Sequence, residues 1–296
     1  MAKRIDWAVN IDKLRVCYNM PESLYDYLRE HYTRHDEMTN ARILDEDDFS
    51  LVFIEEDDDK KKMSAVLNVR DVDGFFRLGT FTFSNCAKYE GKAFFTFENG
   101  ALYRAYTRVP NGEPTNHICD LLYVADFYGM TFNNVTELEL AFDSTYNYIG
   151  KVRRMIKDVE HYDLYLNGRK VSDDETLDGY GEYYSRSRVK MSKLPTLYFS
   201  QAKDTDMKMR IYDKARELNE SSPQKAERLK DWLGWEDMSN VYRVEVVLHN
   251  TNVREFVERY GERLYRESGE HSNVLNLLGM SEFRLAMFLD LSLIHI

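Results

Sequence analysis

The sequence predicts an α+β fold, an antiparallel β-sheet core with helices packed on one side. Three observations predict it. Short runs with the period-two alternation of strands recur along the chain, separated by polar and Gly/Pro-containing punctuation. A strand–turn–helix pattern appears from Ile11 to His31, again from Val135 to Glu160, and a third time from Val241 to Tyr260. That recurrence points to a duplicated strand–turn–helix arrangement, although the copies are only weakly similar in sequence. Finally, 296 residues with 43% hydrophobic and 14% aromatic content are enough to bury a substantial core. The expected division is an N-terminal half of strands and hairpins over residues 1–134 and a C-terminal α+β half over residues 135–290.

In chain order, the opening RIDWAVNIDKLRVCYN reads as a strand, followed by a turn at Met20-Pro21-Glu22-Ser23 and a helix. Pro21 just before the helix suits the first-turn preference of proline. LDEDDFSLVFIEEDDDKKKMSAVLNVRD reads as a β-hairpin whose turn, Glu55 to Lys62, is a solvated charge run. Asp57, Asp58 and Asp59 could bind a cation there, but a flexible loop is a poor cage. From Phe75 to Tyr106 come strands rich in Phe and Tyr, with Asn99-Gly100 as a hairpin turn signal. Sheet packing accounts for most of these aromatics; a base-stacking platform is the sharper alternative. Thr115 to Gly129 reads as a core helix with a threonine cap and a glycine stop. VTELELAFDS is a strand leading through Asp143-Ser144-Thr145 into a helix that carries Lys151, Arg153, Arg154 and Lys157.

Net charge of −11 argues against a bulk nucleic-acid binder. The distribution is uneven, however: from Tyr183 to Arg216 there are nine Lys/Arg against three Asp. A local basic surface of Arg186, Arg188, Lys190, Lys193, Lys203 and Lys208 could hold a few phosphates and make binding salt-dependent. The three cysteines, Cys17, Cys86 and Cys119, are far apart and form neither a disulfide framework nor a zinc pattern. This suits a reducing, cytoplasmic setting. No signal peptide or apolar run of spanning length is present, so no membrane association is expected.

Chemistry concentrates in LPTLYFSQAKDTDMKMRIYDK and YRVEVVLHN. Strand alternation in MKMRIYDK puts Lys208, Arg210, Tyr212 and Lys214 on one face. Neighbouring cations lower the cost of forming phenolate, whose unperturbed pKa is about 10, and can hold a phosphate against the hydroxyl. A half-exposed edge strand with scattered charges is the bland alternative. In VTELELAFDS, Glu137, Glu139, Ala141 and Asp143 share a face, and Glu245 offers a further carboxylate on another strand. Carboxylates so close repel unless a cation or an arginine lies between them. Mg²⁺ or Mn²⁺ suits such an oxygen-rich set; salt bridges to Arg243 or Lys214 on a solvated face are the alternative.

Leu197-Tyr198-Phe199-Ser200, Arg210-Ile211-Tyr212-Asp213-Lys214 and Arg243-Val244-Glu245 with Leu248 together resemble the replication initiation factor (Rep_trans) family. These are rolling-circle initiators of small plasmids, filamentous phages and integrative elements, with related relaxases. The resemblance runs from about Asp6 to Glu267 and includes the strand ending at Asp143. It implies a DNA nicking–closing endonuclease in which Tyr212 attacks the phosphodiester and becomes linked to the 5′-phosphate. Arg210 and Lys214 would steady the phosphate, and Glu139, Asp143 and Glu245 would hold Mg²⁺ or Mn²⁺. The implied partner is origin DNA, single-stranded or extruded as a hairpin, together with a host helicase and a second copy in a homodimer. The chain departs from the pattern at Glu137, where the family often has Arg, and at Glu139, where it often has Asp. The seven histidines contain no His-x-His pair, so the two-histidine metal motif of other rolling-circle nickases is absent.

Three other readings fit some of these residues: a relaxase with the same chemistry, a non-catalytic origin-binding protein that keeps the fold, and a metal-dependent nuclease using activated water. The ending LSLIHI (Leu291 to Ile296) back-translates to a sequencing-adapter transposon end. It is expected to be foreign, with the natural C-terminus missing.

Overall fold

The computed structural model describes residues 6–33, 42–57, 61–71, 73–104, 117–158, 160–163, 165–166, 169–170, 196–200, 207–221, 223–235, 237–268 and 274–293. It is a mixed α+β structure built on an antiparallel sheet. The elements begin β1 (Trp7–Asn19), α1 (Leu24–Thr33), β2 (Arg42–Asp45), β3 (Phe49–Asp57), β4 (Lys62–Asp71), β5 (Gly74–Ser84) and β6 (Lys92–Phe97). There follow α2 (Asn99–Leu102), α3 (Ile118–Phe127), β7 (Thr131–Ser144), α4 (Tyr148–Lys157) and a small ribbon of β8 (Tyr165–Leu166) with β9 (Arg169–Lys170). The chain continues as β10 (Thr196–Ser200), β11 (Met207–Asp213), α5 (Lys214–Ser221), α6 (Pro223–Leu233), β12 (Tyr242–His249), α7 (Asn250–Ser268), α8 (Val274–Gly279) and α9 (Ser281–Leu293). The three expected strand–helix units are β1–α1, β7–α4 and β12–α7.

The residues group into two compact units that interleave along the chain. One comprises residues 1–10, 139–256 and 284–296, and the other residues 11–138 and 257–283.

In the second unit the strands run in the order β7–β1–β6–β5–β4–β3–β2. The expected hairpin is β3 paired antiparallel with β4, with Asp57 opposite Lys62. Alternation decides its faces: Met63, Ala65, Leu67 and Val69 of β4 are buried and the residues between them are not. Of the Phe-rich strands β5 and β6, Phe81, Phe83, Phe95 and Phe97 supply the core, while Phe75 is exposed. Phe81, Phe83 and Phe95 are fully buried, with ring centroids 5.0 Å apart for Phe81–Phe83 and 4.6 Å for Phe81–Phe95. Where β4 pairs with β5 the register shifts, Leu67 facing Gly79 and Asn68 facing Arg77, so Leu78 is the extra residue of a bulge. A side chain at Gly79 would meet the Thr96 carbonyl oxygen at 2.3 Å and the Phe95 ring at 2.5 Å.

Two local expectations change. Asn99-Gly100 starts the short helix α2 rather than a hairpin, because Ala101, Leu102 and Tyr103 turn into the core. The Asn99 amide donates to the Asp12 carbonyl at 2.7 Å and Tyr103 donates to the Asp12 carboxylate at 2.6 Å. At α3 the N-cap is His117, whose Nδ1 is 2.7 Å from Asp120 Oδ2; Thr115 lies outside the described residues. The glycine stop holds, with Gly129 at φ +62°.

In the first unit the order is β10–β11–β12–β7–β1. Leu197, Met209, Ile211, Val244 and Val246 are buried here, with Ile149 and Ile156 from α4. The turn between β7 and α4 is tied down at both ends. Thr145 and Asp6 exchange hydrogen bonds of 3.0 and 3.1 Å, and the Asn147 side chain caps α4 by accepting from the Gly150 amide at 2.7 Å. The strand holding Tyr212 ends one residue earlier than alternation implied. Lys214 is the first residue of α5, and its amide and that of Ala215 both donate to the Val241 carbonyl.

Candidate active site

The arrangement follows from one register. β11 and β12 are antiparallel, with Arg210 directly opposite Glu245 and Tyr212 directly opposite Arg243. Directly opposed residues project to the same face of a sheet, so the RxY of one strand and the RxE of the other form a two-by-two block. Within it the Tyr212 hydroxyl donates diagonally to Glu245 Oε1 at 2.5 Å. Arg210 Nη2 lies 2.6 Å from Glu245 Oε2. β7, next to β12, adds two more carboxylates: Glu139 Oε2 is 3.0 Å from the same Arg210 Nη2, and Asp143 is held by Arg243.

The two arginines differ in exposure. Arg243 and Asp143 are 1% and 0% exposed, and the fork is bidentate, with Nε to Oδ1 at 2.6 Å and Nη2 to Oδ2 at 2.8 Å. Asn10 Nδ2 lies 3.4 Å from the same Oδ2. Two buried charges are tolerable only because each satisfies the other. The Arg210 side chain keeps 32% exposure and is the cation of the block that a ligand can reach.

The electrostatics reverse one expectation. Burial, first, holds the Tyr212 phenol well above its ordinary pKa; the Arg243 charge pulls down, while the charge and hydrogen bond of Glu245 push up. Burial outweighs the one cation that favours phenolate, Arg243, and the two expected to do so, Arg210 and Lys214, are committed to carboxylates. Arg210 serves Glu139 and Glu245, and Lys214 Nζ is 2.5 Å from Glu217 and sits 5.6 Å from the Tyr212 ring centroid. The hydroxyl has a hydrogen-bond acceptor in place, the Glu245 carboxylate, which sequence reasoning did not identify as one.

The two arginines face three carboxylates, leaving one negative charge in excess. Glu139 and Glu245 converge on a single cationic atom, Arg210 Nη2, so that guanidinium stands where a shared cation would sit. Both Asp143 oxygens are taken by its fork with Arg243. Among the described residues no group of three or more His, Cys, Asp or Glu is arranged to hold a metal ion. Glu137 pairs instead with Lys13 Nζ at 3.0 Å. His249 ends β12, half-buried, with its amide donating to Asn252 Oδ1 at 3.1 Å.

Of the basic residues singled out for DNA, Lys208 is exposed on β11, opposite Val247. Arg186, Arg188, Lys190, Lys193 and Lys203 lie outside the described residues. Tyr198 pairs with Arg210 across β10 and β11. Sequence reasoning named Arg243 only as a possible salt-bridge partner and missed its central place. The available signal was an arginine two residues before a carboxylate in an otherwise apolar strand, where only a buried partner could make it tolerable.

No helix among the described residues is long and apolar enough to cross a membrane. No family model matches the chain, and no curated protein matches it. Among solved structures it is similar to a rolling circle replication initiator protein from Geobacillus stearothermophilus, at 15% identity and a TM-score of 0.35, over 82% of this chain and 75% of that one.

Proposed function

We infer that the chain is a DNA nicking–closing strand transferase acting at a rolling-circle origin, with Tyr212 as nucleophile. The observation that carries this reading is the 2.5 Å hydrogen bond from Tyr212 to Glu245 inside a block of arginines and carboxylates. Any buried phenol needs a hydrogen-bond partner; what favours chemistry here is that the acceptor is a carboxylate itself held by arginines. The motif resemblance adds to the reading.

In the reaction, Tyr212 Oη attacks phosphorus and the bond from phosphorus to the 3′ oxygen breaks. The DNA is then held through its 5′-phosphate on the tyrosine, and the departing 3′ oxygen takes a proton from water to give a free 3′-hydroxyl that can prime synthesis. The phenolic proton passes to Glu245 Oε1 as the new bond forms, because burial disfavours a free phenolate beforehand. Arg210, on the solvent side, turns toward the non-bridging oxygens of the phosphate. Lys214, largely buried against Glu217 and the Tyr212 ring, fixes the ring rather than the phosphate. Were Mg²⁺ or Mn²⁺ to take the place that Arg210 holds, Glu139 and Glu245 Oε2 would be its ligands and it would supply positive charge beside the phosphate, leaving Glu245 Oε1 to the phenol. Single-stranded or hairpin-extruded DNA is the substrate that can reach a tyrosine on an inner strand of the sheet.

Labelled origin-type oligonucleotides resolved on a denaturing gel test the reading. The expected result is a covalent protein–DNA band, attached through the 5′ side and absent in Tyr212→Phe. Cleavage without an adduct would instead identify a water-using nuclease. Binding without cleavage would identify an origin-binding protein.

A further inference from the structure

We propose that Arg243 is the positioning residue of this site: anchored by Asp143, it holds the Glu245 carboxylate with one oxygen aimed at the Tyr212 hydroxyl. The inference rests on the reading of Tyr212 as nucleophile, and it assigns Asp143 to the arginine rather than to a metal ion.

The geometry divides the Glu245 carboxylate between two guanidinium groups. Oε2 is held by Arg210 at 2.6 Å, and Oε1 lies 3.5 Å from Arg243 Nη1. Oε1 is also the oxygen that accepts from Tyr212. A carboxylate pinned at one oxygen can still rotate about its terminal torsion, which is broad and has no sharp staggered minima. The second guanidinium removes that freedom and leaves Oε1 facing the phenol. Arg243 can do this because it cannot itself move. Its Nε and Nη2 are taken by the two Asp143 oxygens at 2.6 and 2.8 Å, the pair is essentially inaccessible to water, and Asn10 braces Asp143 from β1. A planar fork is required for this; a lysine keeps the charge but makes no bidentate contact. Arg210 can leave Glu245 for a phosphate when DNA enters, and Arg243 would then be the arginine left holding the acceptor. A buried ion pair with a purely architectural role needs no third contact to the acceptor of the reacting proton.

The test replaces Arg243 with lysine and Asp143 with asparagine in the full chain and measures single-turnover adduct formation on labelled single-stranded DNA, alongside DNA affinity. Each variant should slow adduct formation on the order of a hundredfold, the cost of a misdirected catalytic group, with affinity unchanged. A second readout uses a fluorinated tyrosine at position 212. Its fluorine-NMR resonance should move in Arg243→Lys in the direction that Glu245→Gln moves it, which an architectural pair would not produce. If the single variants fail to fold, the double variant Asp143→Leu with Arg243→Met restores an apolar pair and should fold but remain slow. Wild-type adduct rates in any folded variant, or an unmoved resonance, overturn the proposal. An adduct that persists in Tyr212→Phe would overturn the nucleophile reading instead, so the two failures are distinct.

Discussion

Tyr212 lies directly opposite Arg243 across β11 and β12, yet donates its hydrogen diagonally to Glu245, two residues further along. The diagonal contact aims the phenol, while burial, with help from the charge and hydrogen bond of Glu245, keeps it protonated and ties the titration of this side chain to the fold.

That tie is measurable at alkaline pH. Burial raises Tyr212 above its unfolded pKa, as it also raises Tyr18 and Tyr128. For a group raised on folding, the stabilisation is fully present below the unfolded value, about 10, and falls away as pH climbs through the folded one. Phenolate absorbance followed to about pH 11 should therefore have the same amplitude in Tyr212→Phe as in the wild type. A loss of one tyrosine equivalent in that range would place Tyr212 in solvent and remove the reason for a local proton acceptor.

Metal dependence should expose competition with Arg210. Because Glu139 and Glu245 share its Nη2, a divalent ion must displace that guanidinium. Mn²⁺ binding followed by electron paramagnetic resonance, without DNA, should tighten about tenfold in Arg210→Gln, the scale of one screened charge interaction. It should weaken in Glu139→Gln. Adduct formation in wild-type protein should stop when the metal is chelated; full activity in chelator would show that the carboxylates serve only the arginines.

DNA binding should be salt-sensitive despite the acidic balance of the chain. Each phosphate contact to a single strand steepens the logarithmic salt dependence by about 0.7. Charge reversal at exposed Lys208 should reduce that slope by roughly one contact, and reversal at Arg186 and Arg188 should reduce affinity without lowering the melting temperature. Unchanged affinity in all three would make the basic cluster a solvated face.

In the other unit, Gly79 provides a test of packing that is independent of the site. A Cβ there would lie 2.3 Å from the Thr96 carbonyl oxygen and 2.5 Å from the Phe95 ring, and neither backbone nor packed ring can give way cheaply. Gly79→Ala should cost about 1–3 kcal/mol, read from denaturant unfolding, and leave the chemistry of Tyr212 intact. A neutral result would mean that the β5 bulge relaxes.

The parts of this structure that were legible in the sequence are those fixed by local periodicity. Alternation in MKMRIYDK put Arg210 and Tyr212 on one face, and the β3–β4 hairpin followed from its charged turn. The strand–turn–helix recurrence located three of the elements that carry the fold. The Asn99-Gly100 signal misled because turn chemistry is local while Asp12, which captures Asn99 and Tyr103, lies far away in sequence. The site was legible as a set of residues but not as a set of pairs. Nothing in the order of Arg210, Asp143, Arg243 and Glu245 says which arginine is buried or which carboxylate it takes. That depends on the β11–β12 register and on β7 lying beside β12, both of them long-range outcomes.

The separations along the chain have a kinetic consequence. Tyr212 and Glu245 are 33 residues apart, Arg210 and Glu139 are 71 apart, Asp143 and Arg243 are 100 apart, and Asn10 is 133 from Asp143. Each of these four contacts thus closes a long loop, and such contacts wait for the assembly of the whole sheet segment. During synthesis, Tyr212 leaves the ribosome before Glu245, the carboxylate that accepts its hydrogen bond. A partly made chain therefore carries a tyrosine without its hydrogen-bond acceptor, and under the proposed function it would cut no DNA until β12 has closed on β11. After denaturation, strand-transfer activity should return with the last recovery of native structure, well behind the return of helix and strand signal.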